Sequence, residues 1–452
     1  MNCPNTPNSY GNGPLKLGIS DFQYPDLKAF FSAFRGAGAN MPVDGNNGEA
    51  YGASWWPNTM NPKTGERSHA RNSYYDPVSS RSNLKVMLDT EATELVLEKT
   101  KKGSLVAKGV KITSRITGQG SIVYAKKEVV LAAGSINTPK LLQLSGIGPA
   151  SVLKAAGIPV KLAHDGVGAN FQDHPYASVM FSSSNASVPN PQSLVTDPAF
   201  NASAWAQYKA NKTGPLTQAR GNSLAFIQLT EVAPTQYKEI SKSVLSQSTT
   251  SFLPSLYANS PKLQAGVAAQ RKILSSLYAN DKAAIVEYPI PASGGFVLVA
   301  AQKPLSRGQI TLNPSNPRGP PKILYNALSN PLDRTVLAAC VRYIRTVWAR
   351  PELSQFNLTE TSPGAQYTET EALIQRLNAA NGITPTLSHP SGSCAMMPEK
   401  LGGCVGADLL FYGVEGLSVV DASILPLIPS QHIQSTMYGV GEKAADIIRK
   451  RK

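Results

Sequence analysis

The sequence predicts a mixed fold, part α/β and part α+β. One half is a parallel sheet whose strands lie far apart in the chain, and the other is an antiparallel sheet with helices on one side. Three observations carry this reading. Between Glu128 and Leu144 a short apolar run passes through Ala132-Ala133-Gly134 directly into a helical pattern. Strand, tight turn and helix is how a parallel sheet presents a ligand at its carboxyl edge. From 176 to 385 the character changes to short strands and longer helices, the pattern of an α+β unit. Residues 416–421 then read as a further buried strand, followed by an amphipathic run from Ile433, so the first unit is resumed after an interruption.

Each element has a local reason. Residues 29–34 (Ala-Phe-Phe-Ser-Ala-Phe) read as a short helix stopped by Gly36, inside an otherwise polar, Gly/Pro-rich opening of about 80 residues. Residues 84–88, 94–97, 105–112 and 121–124 are β-branched runs divided by Gly or charged turns, a meander ending in the strand 128–132. Helix 136–144 follows, with Gly146 as its C-cap, and 151–156 is another short helix closed by Gly157. In the interrupting part, 296–300 and 309–312 are strands. Asn330-Pro331 opens a helix to about Arg350, Asn as N-cap and Pro at the first helical position, and 368–379 is another helix. The expected organisation is 1–80 as a loop-rich bridging segment, 81–175 and 386–452 as the two pieces of the parallel-sheet domain, and 176–385 as the inserted domain.

Composition narrows the function classes. With 452 residues the chain can bury a large core and form about two domains. Net charge is +14, from 43 Lys+Arg against 29 Asp+Glu. The cations are scattered apart from the tail Arg449-Lys450-Arg451-Lys452, which reads as a solvated surface and not as a nucleic-acid stripe. No apolar run is long enough to span a bilayer. Met1-Asn2-Cys3-Pro4-Asn5 has neither a basic start nor an apolar core, so no signal peptide is read and the localisation stays open. Sequons at Asn185, Asn201, Asn211 and Asn357 suit secretion of a full-length form but occur at the frequency expected by chance. The cysteines Cys3, Cys340, Cys394 and Cys404 form no CxxC pair, and no metal site is expected. Cys394 and Cys404 are able to bridge in an oxidising compartment.

Chemistry concentrates near the C-terminus. Two of the five histidines, His389 and His432, stand there among small residues, in Ser388-His389-Pro390-Ser391-Gly392-Ser393-Cys394 and Ser430-Gln431-His432. Imidazole titrates near neutrality and is the natural base for drawing a proton from an alcohol. The bland alternatives are a backbone-bonded loop histidine at 389 and an N-terminal helix cap at 432. Asp421, at the end of a strand, reads equally as an Asx turn. His69 lies in a polar loop, His164 precedes a Gly-rich turn, and His174 reads as structural.

This C-terminal block, with Gly416-Leu417-Ser418-Val419-Val420-Asp421-Ala422-Ser423, resembles the signature of the glucose–methanol–choline (GMC) flavin oxidoreductases. So do the stretch from Lys127 to Pro149 and Gly166-Val167-Gly168-Ala169-Asn170-Phe171-Gln172-Asp173-His174-Pro175. The resemblance runs from about residue 14 to the end, is weakest between 180 and 290, and points to the fungal aryl-alcohol and glucose-oxidase-like branch. It implies a discontinuous Rossmann-like FAD-binding domain and a substrate domain. The activity implied is oxidation of an alcohol CH–OH group to a carbonyl, with FAD as cofactor and oxygen or a quinone as electron acceptor. His389 matches the family's base and His432 the second member of its pair. Asp421 and Ala422 match positions near the flavin's ribityl and pyrophosphate, and Ala92 a backbone contact to adenine. Ala133 and Gly134 match the turn passing the dinucleotide, while Gln431 suits the small polar position before His432. Cys394 matches a buried residue of the family pattern.

The resemblance also shows what this sequence lacks. Gly36-Ala37-Gly38, Gly146-Ile147-Gly148, Gly166-Val167-Gly168 and Gly439-Val440-Gly441 do not follow a strand and open a helix, so none is the phosphate loop. The acidic residue expected about 20 residues beyond such a loop is absent as well. The family pattern places both ahead of Met1. A shortened gene model, a truncated paralogue and a fragment completed by another chain all remain open. Beside the alcohol-oxidising reading stand two others: a non-redox relative, a cyclase of fungal secondary metabolism, and an inactive remnant.

Overall fold

Short alternating runs from distant parts of the chain meet in one antiparallel sheet. In the computed structural model its strand order is Gly52–Trp55, Ser223–Gln228, Ala284–Pro289, Phe296–Ala301, Tyr176–Ser182 and Thr359–Ser362, with Ile383–Thr384 also paired to Tyr176–Ser182. The structure describes residues 11–451 apart from 102, 219–221 and 249; Met1–Asn5, Cys3 and Lys452 lie outside the described residues. The two central strands Ala284–Pro289 and Phe296–Ala301 pair as Val286 with Ala301 and Glu287 with Ala300. Val286, Tyr288, Val297 and Val299 are all fully buried. By the alternation of side chains along each strand these four share one face, the face turned to the core.

Helices supply the cover. Pro331–Trp348 starts as its sequence dictates, the Asn330 side chain accepting from Leu332 N, and it buries Leu337, Val341, Ile344 and Val347 against the sheet. It stops at Trp348, two residues earlier than the pattern suggested. Leu27–Gly36 contains the expected 29–34 helix and packs Phe30, Phe31 and Phe34 into the same core, where Phe30 stacks on Phe356 at 5.4 Å. The opening segment thus adds a helix and an edge strand to the large sheet.

The second unit is smaller. Thr90–Lys99, Leu105–Ser114 and Gly120–Tyr124 form the meander, and Val414–Glu415 joins it parallel to Leu105–Ser114. Val129–Leu131 pairs in parallel with Leu417–Val419, Val130 opposite Ser418, which unites the interrupted pieces of the chain. Helix Gly134–Leu144 begins three residues after the strand and Gly146, at φ 84°, follows it. One strand expectation fails. Residues 84–88 form no strand: among the described residues nothing pairs with them, and Val86 and Leu88 are 50% and 79% exposed. A β-branched run without a neighbour to take its backbone hydrogen bonds stays irregular.

Candidate active site

Three imidazoles and a carboxylate line up where the two units meet. His389 and His432, distant in sequence, face each other with ring centroids 5.2 Å apart. On its other side His389 places Nδ1 3.0 Å from Nδ1 of His174, the rings almost perpendicular. His432 Nε2 lies 2.7 Å from Glu287 Oε1, and Gln302 Nε2 donates to the other oxygen of that carboxylate at 3.0 Å.

Each member is held by its own element. Asp173 organises the His389 loop: Oδ1 accepts from the backbone N–H groups of His174, Leu387 and His389, and Oδ2 from Thr386 Oγ1 at 2.6 Å. Ser388 turns the chain with φ 62°, a left-handed conformation that costs energy and is characteristic of functional loops. Gly392, at φ 87°, is required for a second reason, because a Cβ there would sit 2.5 Å from the Asn170 carbonyl. Beyond it, Cys394 and Cys404 are buried free thiols, as is Cys340. His432 occupies the N-cap position of helix Ile433–Lys450, yet its side chain makes no capping bond and turns to Glu287 instead. The segment before it is pinned by Gln270 and Asn170 on the Pro426 carbonyl and by Lys303 on the Ile428 carbonyl. Glu287 is fully buried in the central strand Ala284–Pro289.

The surroundings push the imidazoles apart electrostatically. Burial, followed by the charge of His432, lowers the His389 pKa to about 4. Burial would also lower His432, whose side chain is 52% exposed, but its hydrogen bond to Glu287 and that carboxylate's charge outweigh this and raise it. His174, fully buried, lies well below the ordinary imidazole value, first through burial and then through His389 and Lys303. The site therefore holds two rings that bind a proton more weakly than free imidazole and one, His432, that binds it more tightly, a division suited to one group accepting a proton and another donating. His432 opens onto a cavity of about 220 Å³ walled by Leu15, Leu17, Trp56, Phe226 and Tyr438.

The other expected residues fall into groups. Ala133 and Gly134 form the turn after Val129–Leu131, with Gly134 at φ 82° and open space where a Cβ would stand. Asp421 bridges to that turn, Oδ2 accepting from Gly134 N at 3.0 Å and Thr138 Oγ1 at 2.6 Å, and Oδ1 from Ser423 N at 2.8 Å. Its carboxylate is fully engaged, the Asx turn included. Ala422 lies beside it, its carbonyl accepting from Gly392 N. Gln431 is half-buried and donates to Thr436 Oγ1 in the first turn of the helix that follows it, next to His432. Ala92 is exposed on the meander strand Thr90–Lys99, in a different sheet. No motif marks Glu287 in the sequence, and His174 reads there as structural. A lone acid within the apolar run Ala284-Ile285-Val286-Glu287-Tyr288 was the available signal for the first, since a buried charge needs a partner.

Comparison with known proteins decides the family. Two models described as GMC oxidoreductase match residues 13–176 and 304–441. The GMC oxidoreductase family protein Mala s 12 of Malassezia sympodialis is 31% identical over 97% of this chain and 67% of its own length. The chain belongs to the GMC oxidoreductase family. The dehydrogenase xptC of Emericella nidulans is 30% identical over 97% of this chain and 69% of its own. Among solved structures, an FAD-dependent oxidoreductase from Chaetomium thermophilum superposes with TM-score 0.91 at 31% identity, covering 97% of this chain and 74% of that one. A fungal aryl-alcohol oxidase does so with TM-score 0.91 at 34% identity, covering 97% and 73%. A formate oxidase shares the fold at 22% identity.

GMC oxidoreductases are FAD-binding proteins. The residues present suit such a group: the open space at Gly134 lies at the carboxyl edge of the parallel pair, where dinucleotides approach. The Ser135 and Ser423 hydroxyls beside it are buried without a hydrogen-bond partner. Among the described residues no cluster of metal-ligating side chains is gathered, and no helix is long and apolar enough to cross a membrane.

Proposed function

We propose that this protein, with FAD bound, oxidises the CH–OH group of a small alcohol to a carbonyl. The observation that carries the reading is the pair His389 and His432, neighbouring rings 5.2 Å apart but electrostatically unlike. A neutral His389 accepts the hydroxyl proton at Nε2. His432, kept proton-rich by Glu287, donates to the substrate oxygen and orients it. When bound, FAD accepts the two electrons and the hydrogen lost from the carbinol carbon. The balance is then one proton to imidazole and one hydride equivalent to the cofactor for each carbonyl formed. Ala92, Ala133, Gly134, Asp421, Ala422 and Gln431 are the residues that would hold the cofactor, Asp421 through its backbone because its carboxylate is engaged elsewhere. The aromatic walls of the neighbouring cavity favour an aryl or other apolar alcohol over a sugar. Oxygen or a quinone then takes the electrons.

Mixing the flavin-loaded protein anaerobically with a panel of benzylic and aliphatic alcohols tests this directly. The visible flavin absorbance should bleach with at least one of them, and His389→Ala should slow bleaching on the order of 10²–10⁴-fold. Unchanged bleaching in the variant would remove His389 from the reaction. Failure of every alcohol to bleach the flavin would favour a non-redox member of the family.

A further inference from the structure

His174 is the member of the cluster for which the reaction as proposed has no use. It is fully buried, it sits in the segment that also carries Asp173, and its Nδ1 is 3.0 Å from Nδ1 of His389. Two ring nitrogens at that distance share one proton, since two lone pairs repel and two N–H groups collide. Either His389 donates from Nδ1 and leaves its Nε2 lone pair free, or His174 donates and His389 must carry its proton on Nε2. Only the first arrangement leaves His389 able to accept a proton from a substrate at Nε2.

The second nitrogen of His174 decides between them. With Nδ1 occupied by His389, the backbone group left to act on the ring is the carbonyl of Pro429, which favours a protonated nitrogen facing it. Nε2 is buried and has no hydrogen-bond partner among the described residues, so the Pro429 backbone is the one group there that favours a proton on this side of the ring. With the proton on Nε2, His174 has only a lone pair at Nδ1 and must accept. The charged neighbours agree. Lys303 bears on His174 and opposes a second positive charge there. Asp173, the nearest acid, has both oxygens engaged by backbone amides and Thr386. Glu287 lies beyond His432 at the far end of the chain of rings.

We propose that His174 is a positioning residue, whose Nδ1 accepts the Nδ1 proton of His389 and thereby fixes the tautomer in which His389 Nε2 is the free base. The same bond becomes charge-assisted when His389 takes up a proton, so it also steadies the imidazolium. The role parallels the carboxylate that orients a catalytic histidine elsewhere, with a neutral imidazole in its place. It rests on reading His389 as the base.

The primary test needs no variant of His174 to fold. In flavin-loaded protein with ¹⁵N-labelled histidines, long-range proton–nitrogen correlations separate protonated from bare ring nitrogens, and substituting the other four histidines one at a time assigns them and leaves His174 by elimination. His389 should be protonated at Nδ1 and bare at Nε2, with His174 the reverse; a proton on His389 Nε2 overturns the inference. Kinetics add a second arm. His174→Asn retains an acceptor oxygen near the Nδ1 position, whereas His174→Leu fills similar volume without one. His174→Leu should slow flavin reduction at saturating substrate on the order of 10²-fold, and His174→Asn by less than about tenfold, with KM little changed in either. Equal losses in the two variants would reduce His174 to packing. If the tautomers are as stated but His389→Ala still reduces flavin, the base assignment fails while the tautomer assignment stands.

Discussion

The large antiparallel sheet and the small parallel pair differ in how completely they are enclosed, and the candidate active-site residues come from both. In the first, Glu287 stands in a strand where Ile285, Val286 and Tyr288 are at most 1% exposed, under the apolar face of helix Pro331–Trp348. In the second, Val130 is 40% exposed, every residue of Gly120–Tyr124 is exposed, and helix Ile433–Lys450 fully buries only Ala444. The difference assigns tasks. The enclosed sheet supplies fixed charge, Glu287 with its Gln302 partner, in a setting where a carboxylate cannot relax into water. The open pair supplies surface: a turn with empty space at Gly134, and a helix with His432 at its N-cap position. The function proposed above, holding a large cofactor and aiming a proton, draws on both.

Stability measurements bear hardest on this contrast. Leu337→Ala, at a fully buried position of the enclosed core, should lower unfolding free energy by about 2–5 kcal/mol in denaturant titrations. Val130→Ala in the parallel pair should cost less than about 1 kcal/mol. Equal costs would mean that the open unit is as tightly packed as the enclosed one.

Glu287→Gln tests the link between the two halves. The raised His432 pKa means the folded state binds this proton more tightly than the unfolded chain does. That contribution to stability is present below about pH 6.5 and is lost as pH rises through the higher folded value. His389 has the opposite sign: with its folded pKa at about 4, the unfolded chain protonates first, so stability falls with pH from about 6.5 towards 4. In Glu287→Gln the His432 contribution should vanish. The variant should therefore lose more stability in mild acid than in alkali, and the alkaline limb of its activity profile should move to lower pH. An unmoved alkaline limb would show that Glu287 does not set the protonation of His432.

How much of this was legible depends on whether the signal was local. The turn 132–134 and the helix behind it needed only an apolar run, a glycine able to take positive φ, and a helical period, and all three are local. Asn330-Pro331 announced its helix for the same reason. The pairing of His389 with His432 was reachable through the resemblance to GMC oxidoreductases that the motifs around each carry. Glu287 was not, because an acid in a strand declares its partner only once a histidine from a distant segment is folded against it. His174 was set aside because a buried histidine in a tight Asn-Phe-Gln-Asp-His element is satisfied structurally in most settings, and its contact depends on the loop that Asp173 organises. The 84–88 strand failed because strand propensity describes a surface awaiting neighbours and does not create them.

That segment supports the smallest expected effect. Leu88 is 79% exposed and lies outside the buried clusters of both units. Leu88→Ser should leave the denaturation midpoint of this chain within the equivalent of about 0.5 kcal/mol, although the same change in a paired, half-buried strand would cost more than that. Binding of an apolar dye should fall in the variant, because Leu84, Val86, Met87 and Leu88 together expose an apolar stretch that water does not favour. A loss of more than about 1 kcal/mol would show that 84–88 is paired in solution. The open unit would then be closed by contacts absent from the fold described above, and its contrast with the enclosed sheet would shrink accordingly.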